Sequence, residues 1–427
     1  MERSPDWLIL DHLKKQAKDI IRLHRRHDPE AFSRFRRGLP LAAGRSDDEV
    51  ASLNLRLHDA QSCVARDYGF VSWQDSRRYV EAQSAPGNGQ SDRVLNWLQL
   101  VYSGDVDGTA NRANPRVAAR ILAESPDLVA GSPYLACPVG DEDSLRQYTT
   151  RDPGWVNRPG GPLQLPPLFA VTHSSLVVVP EFRARLHRSA RFLLEAGADP
   201  NQRIGSRWPP ASLSEPDDRN LLSALYGAAA RNHDLELTRL LLDAGADPND
   251  GESLYHSLET FACTGLLLER GARVAGSNAI YHALDFDNVA ALELLFQHGG
   301  DPNEPARNPP WTDWGSPLLW AIRRRRSGRC IEALLNAGAN PQATTPGGVS
   351  AYRLALQFGL GDVADLLRGM TAPDPIPEEE QFIAACARGD ETAASSPNGP
   401  IYPAHFRSSN CDCYPTWPLK AAMSVYG

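Results

Sequence analysis

No stretch of this 427-residue chain approaches the roughly 18 consecutive apolar residues that a membrane-spanning helix needs. The N-terminus also lacks the apolar run of a signal peptide. Cysteine is sparse and unpaired: Cys63, Cys137, Cys263, Cys330, Cys386, Cys411 and Cys413 are odd in number and widely scattered. That spacing argues against a disulfide framework and for reduced thiols, so a cytoplasmic location is expected. Bulk positive charge is missing too. A net charge of −8 gives no wholesale attraction to nucleic acid. The chain contains no Ser-His-Asp order, Gly-rich phosphate loop, His-Glu-x-x-His or paired-Cys motif. Acids and histidines occur in number but none in a recognised catalytic context. The chain is therefore read as non-enzymatic, with no catalytic residue, cofactor, metal or small-molecule ligand.

What the chain does have is self-similarity. Gly-Ala-Asp-Pro-Asn occurs at Gly197–Asn201 and again at Gly245–Asn249. Degenerate copies start at Gly271, Gly299 and Gly338. Each follows a Leu-rich run such as Arg191-Phe-Leu-Leu-Glu-Ala or Arg239-Leu-Leu-Leu-Asp-Ala. The pattern predicts a short amphipathic helix stopped by a Gly in the left-handed C′ position, then a turn that Pro starts and the helix cannot cross. Upstream lies a second helix signature, clearest at Ser316-Pro317-Leu318-Leu319-Trp320-Ala321 and looser at Ser223-Ala224-Leu225-Tyr226-Gly227-Ala228. There a small residue caps the helix, Pro suits its first turn and Leu points inward. Asn232-His233 falls in the turn between the two helices.

These two offset motifs, recurring in phase, resemble those of ankyrin repeat proteins. The implied fold is all-α: an ankyrin-repeat solenoid of about seven or eight helix pairs with loop or hairpin fingers, preceded by a small helical domain. The Gly-to-Gly spacings are 48, 26, 28 and 39 residues, against about 33 for a regular unit, so two units are trimmed and two carry insertions. The inserted stretches lie in Gln202–Asn220 and Glu304–Gly315, and both hold Trp next to Pro-Pro. Trp208, Trp311 and Trp314 thus lie outside the repeated unit, where loop aromatics suit either interface anchoring or packing of the loop on itself.

The domain reading follows from composition. Residues 1–83 form a helical leader, with helices expected over Asp6–Arg26, from Asp28-Pro29-Glu30 onward, over Leu57–Tyr68 and over Ser72–Gln83. Its phrases Leu13-Lys-Lys-Gln-Ala-Lys-Asp and Ala60-Gln-Ser-Cys-Val-Ala-Arg-Asp-Tyr-Gly-Phe resemble the leader that precedes ankyrin arrays in bacterial proteins. Residues 84–91 are a Gly/Ser/Pro linker and 92–370 the array. Residues 371–394 are a Pro-rich break with a partial extra repeat. Residues 395–427 have no period. In the proteins this chain resembles, repeats continue past that point, so truncation or alteration after about Ala394 is expected, with a poorly ordered tail and accessible Cys411 and Cys413.

Several side chains invite sharper readings. His12, His24 and His27 lack the four-ligand set of a structural metal site and are read as part of a solvated basic helix. Cys411 and Cys413 form the only close cysteine pair and lack a partner pair. Tyr226, Tyr255 and Tyr281 share one repeat position and are read as a packing rung. Arg323, Arg324, Arg325 and Arg326 end an inner helix, where they either offset its carbonyl end or grip an acidic partner. The favoured function is a scaffold that binds a protein partner through the concave face and fingers, with Trp208, Trp311, Trp314 and Arg323–Arg326 as candidate contacts. Two alternatives stand beside it: an enzyme or enzyme regulator, such as an inhibitor or immunity-type protein, built on the leader, and nucleic-acid binding by the basic segment 11–40. That segment carries nine basic residues against four acidic ones.

Overall fold

The structure is a computed structural model that describes residues 9–84, 90–110, 112–306, 315–371, 376, 381, 382, 384 and 385. Trp311, Trp314, Cys386, Cys411, Cys413 and the expectations for 395–427 lie outside these residues. The chain forms two compact units, Met1–Gly271 and Ala272–Gly427.

The first unit opens with five leader helices: α1 (Leu10–His24), α2 (Pro29–Gly38), α3 (Asp47–Ala51), α4 (Leu57–Asp67) and α5 (Trp73–Ser84). The face of α1 that the three- and four-residue spacing picks out is the buried one: Leu13, Ala17, Ile20, Ile21 and His24. His24 is therefore no solvated basic group. Its Nε2 lies 2.8 Å from the Val50 carbonyl, and Phe32 and Phe35 meet its ring edge-on at 5.7 and 5.5 Å. Asp28 caps α2 by accepting from the Glu30 amide at 2.9 Å. Helix α3 has a full capping box, in which Ser46 and Glu49 satisfy each other's backbone amides.

Helix α5 packs on the first repeat helices, α6 (Gln90–Val101) and α8 (Pro115–Glu124). The contact is polar as well as apolar. Asn114 Nδ2 donates to Asp75 at 2.8 Å, and Arg120 donates to the Tyr68 carbonyl at 2.7 Å while lying 4.0 Å over the Phe70 ring. Tyr79 also donates to Glu124.

The repeats then follow as helix pairs. Between α6 and α8 sits a short turn, α7 (Gly104–Asp107). Next come α9 (Pro133–Ala136) with α10 (Glu142–Arg151), and α11 (Pro167–Thr172) with α12 (Pro180–Glu195). A hairpin of β1 (Arg203–Ser206) and β2 (Asp217–Ser223) leads into α13 (Ala224–Tyr226), which continues as a π-helical turn over Gly227–Arg231 and pairs with α14 (Leu235–Asp243). The unit ends with α15 (Ser253–His256) and α16 (Phe261–Glu269). Among its described residues the second unit holds three pairs: α17 (Ala279–Asp285) with α18 (Val289–Gln297), α19 (Pro317–Arg323) with α20 (Gly328–Asn336), and α21 (Ala351–Gln357) with α22 (Gly361–Met370).

The helix stops behave as the sequence dictates. Gly197, Gly245, Gly271, Gly299 and Gly338 all take positive φ between 82° and 98°, a backbone region that a side chain disfavours. Leu193, Leu241, Leu267, Leu295 and Leu334, from the outer helices before these stops, are all fully buried. Burying one such side chain is worth about 1.5–3 kcal/mol, and this term, more than helix propensity, holds short helices together.

Candidate functional site

The fingers are set by a repeated asparagine. Asn201 donates from Nδ2 to the Gly245 carbonyl at 3.0 Å, and its Oδ1 accepts from the Asp247 amide at 2.7 Å. Asn157 makes the same pair with Gly197 and Asp199 at 2.8 and 2.7 Å. In the second unit Asn303 does so with Gly338 and Asn340, at 2.9 and 2.7 Å. Asn249 donates to the Gly271 carbonyl at 3.1 Å. At each Asp-Pro-Asn the aspartate folds back to accept from the asparagine amide: Asp199 at 2.9, Asp247 at 2.9 and Asp301 at 2.8 Å. These four asparagines therefore tie their fingers to the helix stop of the next repeat across sequence separations of 40, 44, 22 and 35 residues.

The inner helices have their own link. Buried Asp250 accepts from the Ser253 amide at 2.8 Å and from the hydroxyls of Ser223 and Ser253, both at 2.5 Å. Ser223 in turn caps α13, accepting from the Tyr226 amide at 2.9 Å. His233 takes φ 48°, the conformation its turn position needs, and Asn232 donates back to the Thr172 carbonyl at 2.8 Å.

In the first unit these elements converge on one acidic turn. Asp105 is 3% exposed, and its Oδ2 accepts from both Nε and Nη2 of Arg231, at 3.0 and 2.5 Å, and from the Tyr226 hydroxyl at 3.1 Å. The guanidinium also lies 5.3 Å over the Tyr226 ring. The β1–β2 finger closes on the same turn. The Arg207 amide donates to the Asp105 carbonyl at 2.8 Å, and its Nη1 donates to the carbonyls of Val106 and Leu163 at 3.0 and 2.7 Å. Trp208 lies on Gly104, where a Cβ would fall 2.9 Å from its ring and 1.9 Å from the Thr109 carbonyl. The backbone of Leu213 passes over Gly108.

Two charged states around this turn are displaced. Burial pushes the Asp107 carboxyl up to about 6, against two donations from Thr109 at 2.8 Å that favour the anion, and the neighbouring Asp105 charge adds to the rise. His173 is held neutral, with burial taking it down to about 3. Its ring stacks on Phe169 at 3.7 Å, and Gly227 must be glycine because a Cβ there would sit 2.4 Å from His173 Nδ1. Asp105 Oδ1, Asp107 Oδ2, His173 Nε2 and Arg207 Nε are buried with no hydrogen-bond partner. Among the described residues, no group of three His, Cys, Asp or Glu side chains comes together to hold a metal.

The candidate contacts named from sequence fall in different settings. Trp208 is 40% exposed on the finger, beside Leu213 at 42% and Leu221 at 39%. Its finger folds back on the first repeat instead of standing clear of it. In the second unit Arg324 pairs with Asp285 at 3.2 Å and lies 5.3 Å over Trp320, whose Nε1 donates to the same carboxylate at 3.2 Å. Arg326 donates to the Asp285 carbonyl at 3.1 Å and to the Arg324 carbonyl at 2.9 Å. Arg325 is exposed, with its guanidinium 5.8 Å from the Phe358 ring centroid, and Arg323 is half-buried. Tyr226 and Tyr281 are buried and Tyr255 half-buried. Sequence reasoning passed over Asp105, Arg207, Arg231 and Asp250. The legible signal for the first was the extra length of 103–113 between two helices that a short turn would join.

Residues 220–252 match the ankyrin repeat family, the stretch that carries Ser223, Tyr226, Arg231 and the second Gly-Ala-Asp-Pro-Asn. The fold is that of ankyrin repeats. Among solved structures, the ankyrin repeat domain of human ASB11 is 18% identical, covering 57% of this chain and 100% of that one at a TM-score of 0.41. The ankyrin repeat domain of Bcl-3, described as a unique member of the IkappaB protein family, is 21% identical, with coverages of 56% and 99% and a TM-score of 0.44. An ankyrin repeat domain from Acinetobacter baumannii AYE is 21% identical, with coverages of 49% and 98% and a TM-score of 0.36. These likenesses are loose, and the assignment rests on the repeat geometry and on residues 220–252. No curated protein matches the chain. Ankyrin repeats as a class mediate protein–protein interaction. No described helix is long and apolar enough to cross a membrane.

Proposed function

We infer that this chain is a non-enzymatic scaffold that binds a protein partner through the inner-helix faces and fingers of its ankyrin repeats. The observation that carries this reading is the β1–β2 finger. It is fixed in register by Asn201 and Asp250, yet presents Trp208, Leu213 and Leu221 with 39–42% of their surface open to solvent. An element fixed in register that shows a tryptophan suits an interface core, where Trp, Tyr and Arg anchors contribute most of the binding free energy, and Leu213 and Leu221 add apolar surface on the same finger. In the second unit, considered by itself, Arg325 is the exposed arginine of the expected Arg323–Arg326 cluster, on a turn held by Arg324 and Arg326. Cys63, Cys137, Cys263 and Cys330 are buried free thiols. Burial pushes Cys63 up to about 11 and Cys330 up to about 12, which suits inert structural thiols, and unpaired cysteines fit a reducing, cytoplasmic compartment.

Affinity capture from the native host with the intact chain, compared with Trp208→Ala and Leu221→Asp, tests the reading. A protein retained by the intact chain and lost from both variants supports it. Equal retention by all three removes the finger from the interface.

A further inference from the structure

We propose that the turn Gly104–Gly108 is an internal occupant of the surface on which the first unit receives an acidic segment of its partner. The inference rests on the scaffold reading above and names the chemistry of what that scaffold binds.

The turn is held as a bound peptide is held. One carboxylate, Asp105, meets a phenol and a guanidinium that come from a helix 121 and 126 residues further along the chain. Such charge-assisted donation, with the arginine engaging through two nitrogens, is a form in which proteins recognise carboxylates. The backbone carbonyls of Asp105 and Val106 are taken by Arg207, and Trp208 covers a position that only glycine can fill. None of these contacts requires the turn to be covalently attached where it is. A segment from another chain carrying Asp between small residues would present the same groups.

The occupant is also incompletely satisfied. Asp105 Oδ1 and Asp107 Oδ2 are both buried without a hydrogen-bond partner, on side chains that are 3% and 2% exposed. Burying a carboxylate oxygen unpaired opposes the docked state. Gly104 and Gly108 flank the two acids, and Gly108 sits at φ 76°. The turn therefore has a reason to leave and the backbone freedom to do so. While it is docked it competes with any incoming acidic segment, and apparent affinity falls by the fraction of molecules with the site open.

The test uses a synthetic peptide of the turn's own sequence, Ser-Gly-Asp-Val-Asp-Gly-Thr-Ala, and a control with both Asp replaced by Asn. The chain carrying Asp105→Ala, which frees Arg231 and Tyr226, should bind the Asp peptide at least about tenfold more tightly than the unaltered chain, because the internal competitor is gone. It should bind the Asn control no better than the unaltered chain does, and adding Arg231→Ala should abolish the gain. Asp105→Asn keeps the side chain's volume and serves where the Ala variant does not fold. With the unaltered chain, excess Asp peptide should speed hydrogen exchange over 103–110 as the turn is displaced. Equal peptide affinity for the folded variants and the unaltered chain, or unchanged exchange at saturating peptide, overturns the proposal. If peptide binding fails while Trp208→Ala still loses the captured protein, the internal occupant is rejected and the scaffold reading stands.

Discussion

Replacing Asp107 by Asn should make the first unit more stable at neutral pH, by an amount that can be worked out from its carboxyl. In the folded chain burial raises that group to about 6, from an ordinary value of 3.8. A raised acid contributes stability that is fully present below the unfolded value and is lost as pH rises through the folded one. The difference of roughly two units corresponds to about 3 kcal/mol withdrawn from the docked turn above pH 6. With 2% of the residue exposed, little solvent screening reduces this figure. Asn keeps the acceptor that takes both Thr109 donations and carries no charge into the site.

The unaltered chain by itself would hide the effect. His173 is displaced in the opposite sense, from 6.5 down to about 3, so it removes stability as pH falls below 6.5. Between about pH 6 and pH 4 the two groups nearly cancel, each worth roughly 3 kcal/mol. The difference between the two chains isolates Asp107, because His173 is common to both. Hydrogen exchange over 103–110, corrected for the intrinsic pH dependence of exchange, should give opening free energies that differ little near pH 4. The variant's advantage should grow to about 3 kcal/mol by pH 7. A difference that stays flat from about pH 4 to pH 8, or a variant less stable at neutral pH, would refute the reasoning.

Three further perturbations test other parts of the molecule. Asn201→Ala removes two hydrogen bonds between successive fingers and should cost about 1–2 kcal/mol, read by urea denaturation; no loss would show that the ladder only follows the helix packing. Gly227→Ala places a methyl 2.4 Å from His173 Nδ1 and should destabilise by roughly 1–3 kcal/mol, checked in the same assay, with a neutral result showing that the π-helical turn can shift. Trp208→Ala should lower partner capture at least about tenfold while melting within a few degrees of the parent; a large drop in melting temperature with unchanged capture would make Trp208 a packing residue.

The repeat was legible because its physics is local and periodic. A glycine stop, an Asx-Pro turn and an inner helix with a small capping residue can each be read within six residues, and their recurrence fixes the phase. The finger at Asn157 makes the same asparagine contacts, although its copy lacks the Gly-Ala-Asp-Pro-Asn phrase. Helix α3 was passed over, yet Ser46 and Glu49 at a spacing of three are a capping box that the sequence displays. His24 was placed on the correct face by its spacing and then assigned to solvent because it is basic. The carbonyl of Val50, 26 residues away, supplies what a buried imidazole needs.

The clamp on Asp105 belongs to a different kind of information. The extra length of 103–113 marks a loop, but no residue type beside Asp105 distinguishes it from any solvated loop acid, and nothing near Arg231 marks it as that acid's partner. Their meeting depends on the repeats of the first unit stacking in register, which the asparagine ladder and Asp250 enforce between neighbouring repeats and which then carries α13 to the turn of the first repeat. Once that register exists, the length of 103–113 stops being an arbitrary insertion. A short turn between α6 and α8 would not reach Tyr226, so the extra residues are what bring Asp105 to Arg231. The turn 104–108 and the finger loop of 202–220 meet each other, with Arg207 on the Asp105 and Val106 carbonyls and Trp208 on Gly104. Sealing the turn under the finger costs conformational entropy and leaves two carboxylate oxygens unpaired, an arrangement with little to recommend it as mere stabilisation. It makes physical sense if the sealed state is one of two that the chain is built to adopt, with the second reached when a competing carboxylate takes Arg231.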